Sequence, residues 1–390
     1  MTTTPSTDMY TTTTVNSVDD LRQIFDHGAT PQMRSNYTQS LTTSFPEHMA
    51  SSNFDTDALA ARVSASVFGD HSLSADDTTA LKTAFPMAVL TAKIDTKTIP
   101  ANTVWNLGTS TSPVSIEVGT LTMEPGSSIV IANTVLSLKV DTLIRQTGGS
   151  GPNYDLAILG VAGASGSTGA SGQNGQNGPQ GSGGTCQSGG GIAGDNGGAG
   201  GNGTGGGNGG IGNQGGNGLA SLTANITFGN ISGAPQFVIY TASGAGGQGG
   251  AGGVGGSGGS GGNGGEGATC ACEHTDGGNG GSGGSGGQGG QGGQGGNGVN
   301  GQDVYVTVPS GSENKIIKTY GYGTPGNAGV GGAGGGAGNP GYGGGGGGKS
   351  GCPQGSGGSN GQPGGPGSPG PLGNPGTITG QPGTIYVNGQ

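Results

Sequence analysis

Four cysteines and one histidine carry the sharpest chemistry in this chain: Cys186, Cys270, Cys272 and Cys352, with His274 just after the Cys-Ala-Cys. Thiolates and imidazole suit tetrahedral zinc. Cys-X-Cys is not zinc-finger spacing, however, and the other histidines, His27, His48 and His71, fall in the first hundred residues without a metal or triad spacing. Two disulfides fit better if the chain works outside the cell, so no metal and no cofactor is expected. Three pairings are open, a Cys270–Cys272 link being the least favoured. Gly343 to Ser350 matches the phosphate-loop pattern, ending Gly348-Lys349-Ser350. A phosphate loop needs a strand before it and a helix after it, so that backbone amides meet the phosphates. Here glycines precede it and Gly351-Cys-Pro follows, so nucleotide binding is not expected. Calcium nonapeptides need an aspartate where Gly295-Gly-Asn-Gly-Val-Asn300 offers asparagine. Nothing here reads as an enzyme.

The elements that must position these residues are glycine runs. Glycine returns every third residue in Gly160–Gly181, Gly191–Gly218, Gly244–Gly265, Gly277–Gly301, Gly323–Gly347 and Gly355–Gly376. Three is neither the helical 3.6 nor the strand period of 2; it is the repeat of a polyproline-II-type helix. Glycines then share one edge, and an edge without Cβ atoms lets neighbouring backbones hydrogen-bond. Collagen shares the beat but wants more proline and longer runs. A disordered Gly/Ser linker has no reason to hold register through six runs.

Composition supports a fold held by backbone bonding. With 102 glycines in 390 residues, 28% hydrophobic and 8% charged residues, one conventional core cannot serve the whole length. Each backbone bond contributes about 0.5–1.5 kcal/mol net, against an ordering cost that is greatest for glycine. A net charge of −10 argues against nucleic acid as partner. No apolar stretch is long enough to span a membrane. The N-terminal Met-Thr-Thr-Thr-Pro-Ser-Thr-Asp lacks the features of a secretory signal, so export by a removed signal, by lysis or by a dedicated route is expected.

The pattern divides the chain into a small helical docking region (1–90), a β-solenoid or small β-sandwich neck (91–150) and the glycine-run part (151–390). In the first, Ser17 is a plausible N-cap, Asp19 and Asp20 suit the helix N-terminus, and Leu21, Ile24 and Phe25 form a stripe before Gly28. Asp55 to Phe68 and Ser74 to Phe85 repeat that logic. In the neck the period becomes 2 (Ile116, Val118; Ile129, Ile131; Leu136, Leu138, Val140), and Trp105 reads as core. The segments between runs alternate: those with Cys186, with Cys270 and Cys272, and with Cys352 alternate with apolar ones such as Gln236-Phe-Val-Ile-Tyr240 and Asp303-Val-Tyr-Val-Thr-Val308. Antiparallel runs would gather every cysteine at one end and six short strands at the other. The fold class this predicts is mostly irregular/β: a six-run antiparallel polyglycine-II helix bundle with a strand layer, preceded by the helical region and the β-rich neck.

On the Gly-X-X beat and the cysteines at its turns, residues 152–390 resemble the polyglycine-II bundle proteins, the snow-flea antifreeze protein and the glycine-rich tip adhesins of phage long tail fibres. The resemblance implies a non-enzymatic, rod-like protein, an adhesin or receptor-binding protein that presents tip loops. A structural subunit of an extracellular filament, sheath or matrix is the alternative, and ice binding a lesser one. Thr185, Gln187, Glu273, His274, Asp276 and Lys349, beside the cysteines, are the expected ligand-binding tip. Expected partners are a cell-surface or polymer receptor, or copies of the chain itself, with the N-terminal region docked on a partner subunit. The expected location is extracellular, on a cell surface or on a virion.

Overall fold

The computed structural model describes residues 10–26, 29–44, 46–50, 56–107, 112–188, 192–234 and 236–390. After an edge strand, β1 (Thr11–Val15), comes a helical region. The Ser17 side chain accepts the Asp20 N–H at 3.1 Å and starts α1 (Val18–Phe25), which buries Leu21 and Phe25. His27, Gly28 and Asp55 lie outside the described residues. A further helix, α2 (Pro31–Ser44), follows, which no apolar run in the sequence announces. Its sequence is mostly polar, with Met33, Tyr37 and Leu41 one turn apart as its apolar stripe, of which Tyr37 and Leu41 are buried. Short α3 (Pro46–Met49), α4 (Thr56–Val67) and α5 (Ala75–Ala80), the last capped by Ser74, complete the region. Val15, Phe25, Tyr37 and Phe68 pack together and reach Tyr305 on the sheet behind, with Tyr37 and Tyr305 ring centres 3.9 Å apart.

One buried ion pair holds these helices to their loops. Arg62 on α4 donates to Asp77 at 2.6 Å, with both side chains 1% exposed, and its Nη1 also reaches the carbonyls of His48 and Ala50. Burial would raise the Asp77 carboxyl, but hydrogen bonds from Arg62 and Ser74 and the Arg62 charge outweigh it and hold it below its ordinary 3.8. The stability Asp77 contributes is therefore present above pH 3.8 and lost as pH falls through the depressed value. Arg62→Met should leave a buried carboxylate without its cation, held only by Ser74, and cost about 3–5 kcal/mol, read by chemical denaturation. A cost below about 1 kcal/mol would mean the pair behaves as a surface bridge.

The β-rich part is a coil of parallel strands shared alternately between two sheets. β2 (Met87–Ile99), β4 (Val114–Met123) and β6 (Leu136–Arg145) stack in one sheet; β3 (Val104–Asn106), β5 (Ser128–Ala132) and β7 (Leu156–Leu159) stack in the other. Val114 pairs with Leu136, 22 residues on. Past the first two glycine runs come β8 (Ala224–Phe228), β9 (Ile231–Gly233) and β10 (Phe237–Ala242), then a two-residue hairpin, β11 (Thr269–Cys270) and β12 (Glu273–His274), and finally β13 (Val304–Thr307), β14 (Ile316–Gly321) and β15 (Ile385–Val387). Leu136 pairs in register with Ala224, Ala224 with Val304, and Val304 with Ile385. A turn of the coil that took 22 residues thus widens to about 80 wherever a pair of glycine runs is inserted, without losing register. The result is an eight-stranded sheet (β1-β2-β4-β6-β8-β13-β15, with β9 beside β6) facing a five-stranded one (β14-β10-β7-β5-β3). Between them lies the main core, including Trp105, Ile116, Leu138, Phe228, Phe237 and Val304.

This corrects the fold class. The chain is mixed α/β, built on two large parallel sheets with a small helical region, and not a mostly irregular bundle whose strands form a separate layer. Strands between the runs continue sheets that begin before the first run, because strands of alternate runs meet the same parallel ladder. The glycine beat reported the runs, while the apolar residues that set the class lie in the strands before the first run and in the short segments between the runs.

The runs form neither α-helix nor strand; their glycine amides bond to neighbouring runs. Alternate runs lie parallel (Gly163 N–H to Ala245 O and Gly166 N–H to Gln248 O, each 2.8 Å), and successive runs lie antiparallel (Gly198 N–H to Ser182 O, 2.7 Å; Gly201 N–H to Pro179 O, 2.8 Å). Runs one, three and five make one layer and runs two, four and six the other. Amides at the third, outward position have no such carbonyl, and asparagine side chains take several of them. Asn177 accepts from Ser260, Asn202 from Ser282 and Asn279 from Ser359, each at 2.8 Å. This bracket explains much of the asparagine in an otherwise small-residue sequence.

Candidate functional site, the disulfide-tied turns

Three turns meet where the runs end away from the sheets. The first lies around Cys186, the second is the β11–β12 hairpin, and the third spans Gly348 to Gln354. Cys186 is bonded to Cys270 and Cys272 to Cys352, closing separations of 84 and 80 residues. The Cys-X-Cys spacing now has a mechanism. Cys270 ends strand β11 and is buried, Ala271 turns the backbone at φ 52°, and Cys272 emerges on the far side of the turn. One hairpin can therefore hold a different neighbour with each thiol. No group of three or more His, Cys, Asp or Glu able to hold a metal exists among the described residues.

Most of the expected tip residues serve the turns themselves. Thr185 Oγ1 accepts the Asp195 N–H at 3.1 Å. A Glu273 carboxylate oxygen accepts the Ala193 N–H. Asp276 Oδ1 accepts the Ser356 N–H at 2.7 Å, bracketing run four to run six as the asparagines do elsewhere. His274 is paired across the hairpin with Thr269, half-buried, and its Nδ1 has no partner among the described residues. Gln187 and Lys349 are exposed. The structure thus brings the expected residues to one end, while the free side chains there are fewer than the residue types suggested. Residues not singled out also matter: Thr269 Oγ1 accepts the Gly348 N–H at 2.9 Å, and buried Thr275 accepts that of Ala268 at 2.7 Å. Their signal was adjacency to the cysteines. A threonine that side-chain-bonds a turn does not differ in sequence from a solvated one.

Among the described residues no helix is long and apolar enough to cross a membrane. No protein-family model matches the chain, and no curated protein matches it. Among solved structures the chain is similar to the springtail antifreeze protein from Granisotoma rainieri, described as a nine polyproline type II helical bundle. Identity is 27% over 50% of this chain and 92% of that one, with a TM-score of 0.08. A score that low carries no argument about fold or activity.

Proposed function

We propose that this is a non-enzymatic adhesin or receptor-binding protein of an extracellular, cell-surface or virion setting, which offers its disulfide-tied turns to a polymer or surface receptor. One observation carries the reading: two bridges weld three separate turns into a single end, remote in the chain's topology from the helical region that could dock on a partner subunit. Disulfides fit an oxidising compartment. Stiffening loops beforehand also reduces the ordering cost of binding.

The filament alternative meets an obstacle at the edge of the run array. Run four donates to run six from Gly283, Gly286, Gly289 and Gly295. About 80 residues on, the equivalent positions in run six are Pro363, Pro366, Pro369 and Pro375. Proline has no N–H and its ring blocks close approach, so a further run cannot bond to run six at these four positions. Native edges are commonly protected in this way.

With immobilised alginate, dextran sulfate and dextran as probes, the wild type should be retained on at least one polymer. Gln187→Ala with Lys349→Ala should lose most of that retention while keeping the melting temperature, since neither side chain brackets a turn. Equal retention of both proteins, or none of the wild type on any polymer, would favour the structural-subunit reading. So would concentration-dependent assembly of the wild type in sedimentation velocity. Replacing the four prolines by glycine should, by contrast, make the chain self-associate.

A further inference from the structure

Run five ends its layer with a row of backbone groups that are bonded inside the array and open at its edge. Inside, Gly252 and Gly255 of run three donate to the carbonyls of Val330 and Ala333 in run five, at 2.8 and 2.9 Å. The Gly290 and Gly287 carbonyls of run four accept from Gly332 and Gly335, each at 2.8 Å. One step outward, Ala328, Gly331, Gly334 and Ala337 of run five stand in the donor places, and Gly373, Gly370, Gly367 and Gly364 of run six in the acceptor places. The geometry fixes this correspondence. A Cβ on Gly252 or Gly255 would overlap the Gly290 or Gly287 carbonyl, and one on Gly331 or Gly334 would overlap that of Gly370 or Gly367 in the same way. None of these four amides and four carbonyls bonds to a described residue, and the four donor residues are exposed or half-buried. Pro325 and Pro340 close the donor row at its two ends.

Three features select an occupant. Every third residue must be glycine, because the equivalent Gly332 and Gly335 lie so close to the Gly253 and Gly256 carbonyls that a Cβ would overlap them. A second copy of the chain does not fit: entering by its run one, it would bring its run two against Pro363, Pro366 and Pro369 of run six, which have no N–H. A flexible glycine segment would lose much freedom for few bonds, whereas proline sets the polyproline-II geometry in advance. Run six itself, with Gly361-Gln-Pro-Gly-Gly-Pro-Gly-Ser-Pro369, has proline at the outermost place.

We propose that the edge of run five binds a single extended segment of a partner protein with the repeat Gly-X-Pro, parallel to run five and antiparallel to run six. Its X carbonyls accept from Ala328, Gly331, Gly334 and Ala337, and its glycine amides donate to the carbonyls of Gly373, Gly370, Gly367 and Gly364. This is the logic of strand addition to an open sheet edge, carried out in a three-residue repeat. The surface lies on the flank of the run array and does not use the tied turns.

The test uses the full chain and a capped peptide of five Gly-Gln-Pro repeats, with five Ala-Gln-Pro repeats as control, read by isothermal titration calorimetry. Expected is saturable one-to-one binding of the glycine peptide, with the alanine peptide at least tenfold weaker. Ala328→Pro with Ala337→Pro removes two of the four donors at places that already carry a Cβ. It should weaken the peptide at least tenfold without lowering the melting temperature. In the wild type, hydrogen exchange at the Ala328 and Ala337 amides should slow at least tenfold at saturating peptide, while exposed Ala333 stays unchanged. Gln187→Ala with Lys349→Ala should bind the peptide as the wild type does, so that this edge and the tied turns stand or fail separately. No saturable binding, equal binding of the two peptides, or exchange at Ala328 and Ala337 that the peptide leaves unchanged overturns the proposal.

Discussion

Gly284→Ala is expected to unfold the run array at temperatures where the wild type stays folded, although it adds a single methyl group. Gly284 is buried in run four, and a Cβ there would overlap the carbonyl oxygen and carbon of Thr204 in run two. Neither partner can yield alone. Thr204 accepts from the Gly259 amide in run three, and Gly284 donates to the Gly259 carbonyl at 2.8 Å, so a shift breaks bonds in two neighbouring runs. Inserting atoms into a close-packed site typically costs about 1–3 kcal/mol, and here the obstacle is backbone, so the upper end or beyond is expected. Gly365→Ala in run six is the matched control. Nothing lies within 4 Å of a Cβ at that position, and removing a glycine from the unfolded chain should stabilise by about 0.4–1 kcal/mol. Differential scanning calorimetry of the two variants decides the matter. Similar melting temperatures would mean that the runs are not close-packed through their glycines.

Loss of both bridges is the second large effect. Each bridge closes a loop of 80 residues or more, 84 for Cys186–Cys270 and 80 for Cys272–Cys352. In the chain-entropy account, a loop of that size is worth about 4.5 kcal/mol. The account suits this chain, since glycine, whose unfolded freedom is the greatest, is the commonest residue in both loops. The two contributions should not simply add, because Cys270 and Cys272 share one hairpin and either bridge already restricts it. The melting transition should fall markedly when all four cysteines are replaced by serine, and each pair-wise replacement should give less than half of that loss, because the bridge that remains still restricts the shared hairpin. A melt unchanged by the fourfold replacement would show that run-to-run bonding suffices.

Much of the local structure was legible in the sequence. Ser17 with Asp19 and Asp20 marked the first helix, because a cap and a dipole are local effects. Ser74 marked α5 in the same way, and Trp105 could be placed in the core from its neighbours. The helix α2 is hard to read because Met33, Tyr37 and Leu41 stand alone among polar residues, and the stripe acquires meaning only when Phe68 and Tyr305 pack against Tyr37. At the tip, the cysteines and their gathering were readable from the alternation of connecting segments. Which polar side chains would be consumed by the turns was not, since Glu273 and Asp276 bond to amides 80 residues away in sequence.

By itself, then, the sequence determined local and periodic features: helix caps, strand segments, the three-residue glycine beat and the positions of four thiols. Each depends on near neighbours or on a repeat that any stretch of the chain displays. Only the tertiary structure decided the class of the fold and the pairing of the cysteines. Strands separated by about 80 residues join one parallel ladder because every pair of runs travels out and returns to the same register. That register is set by backbone bonds between runs, which no side chain in the sequence announces.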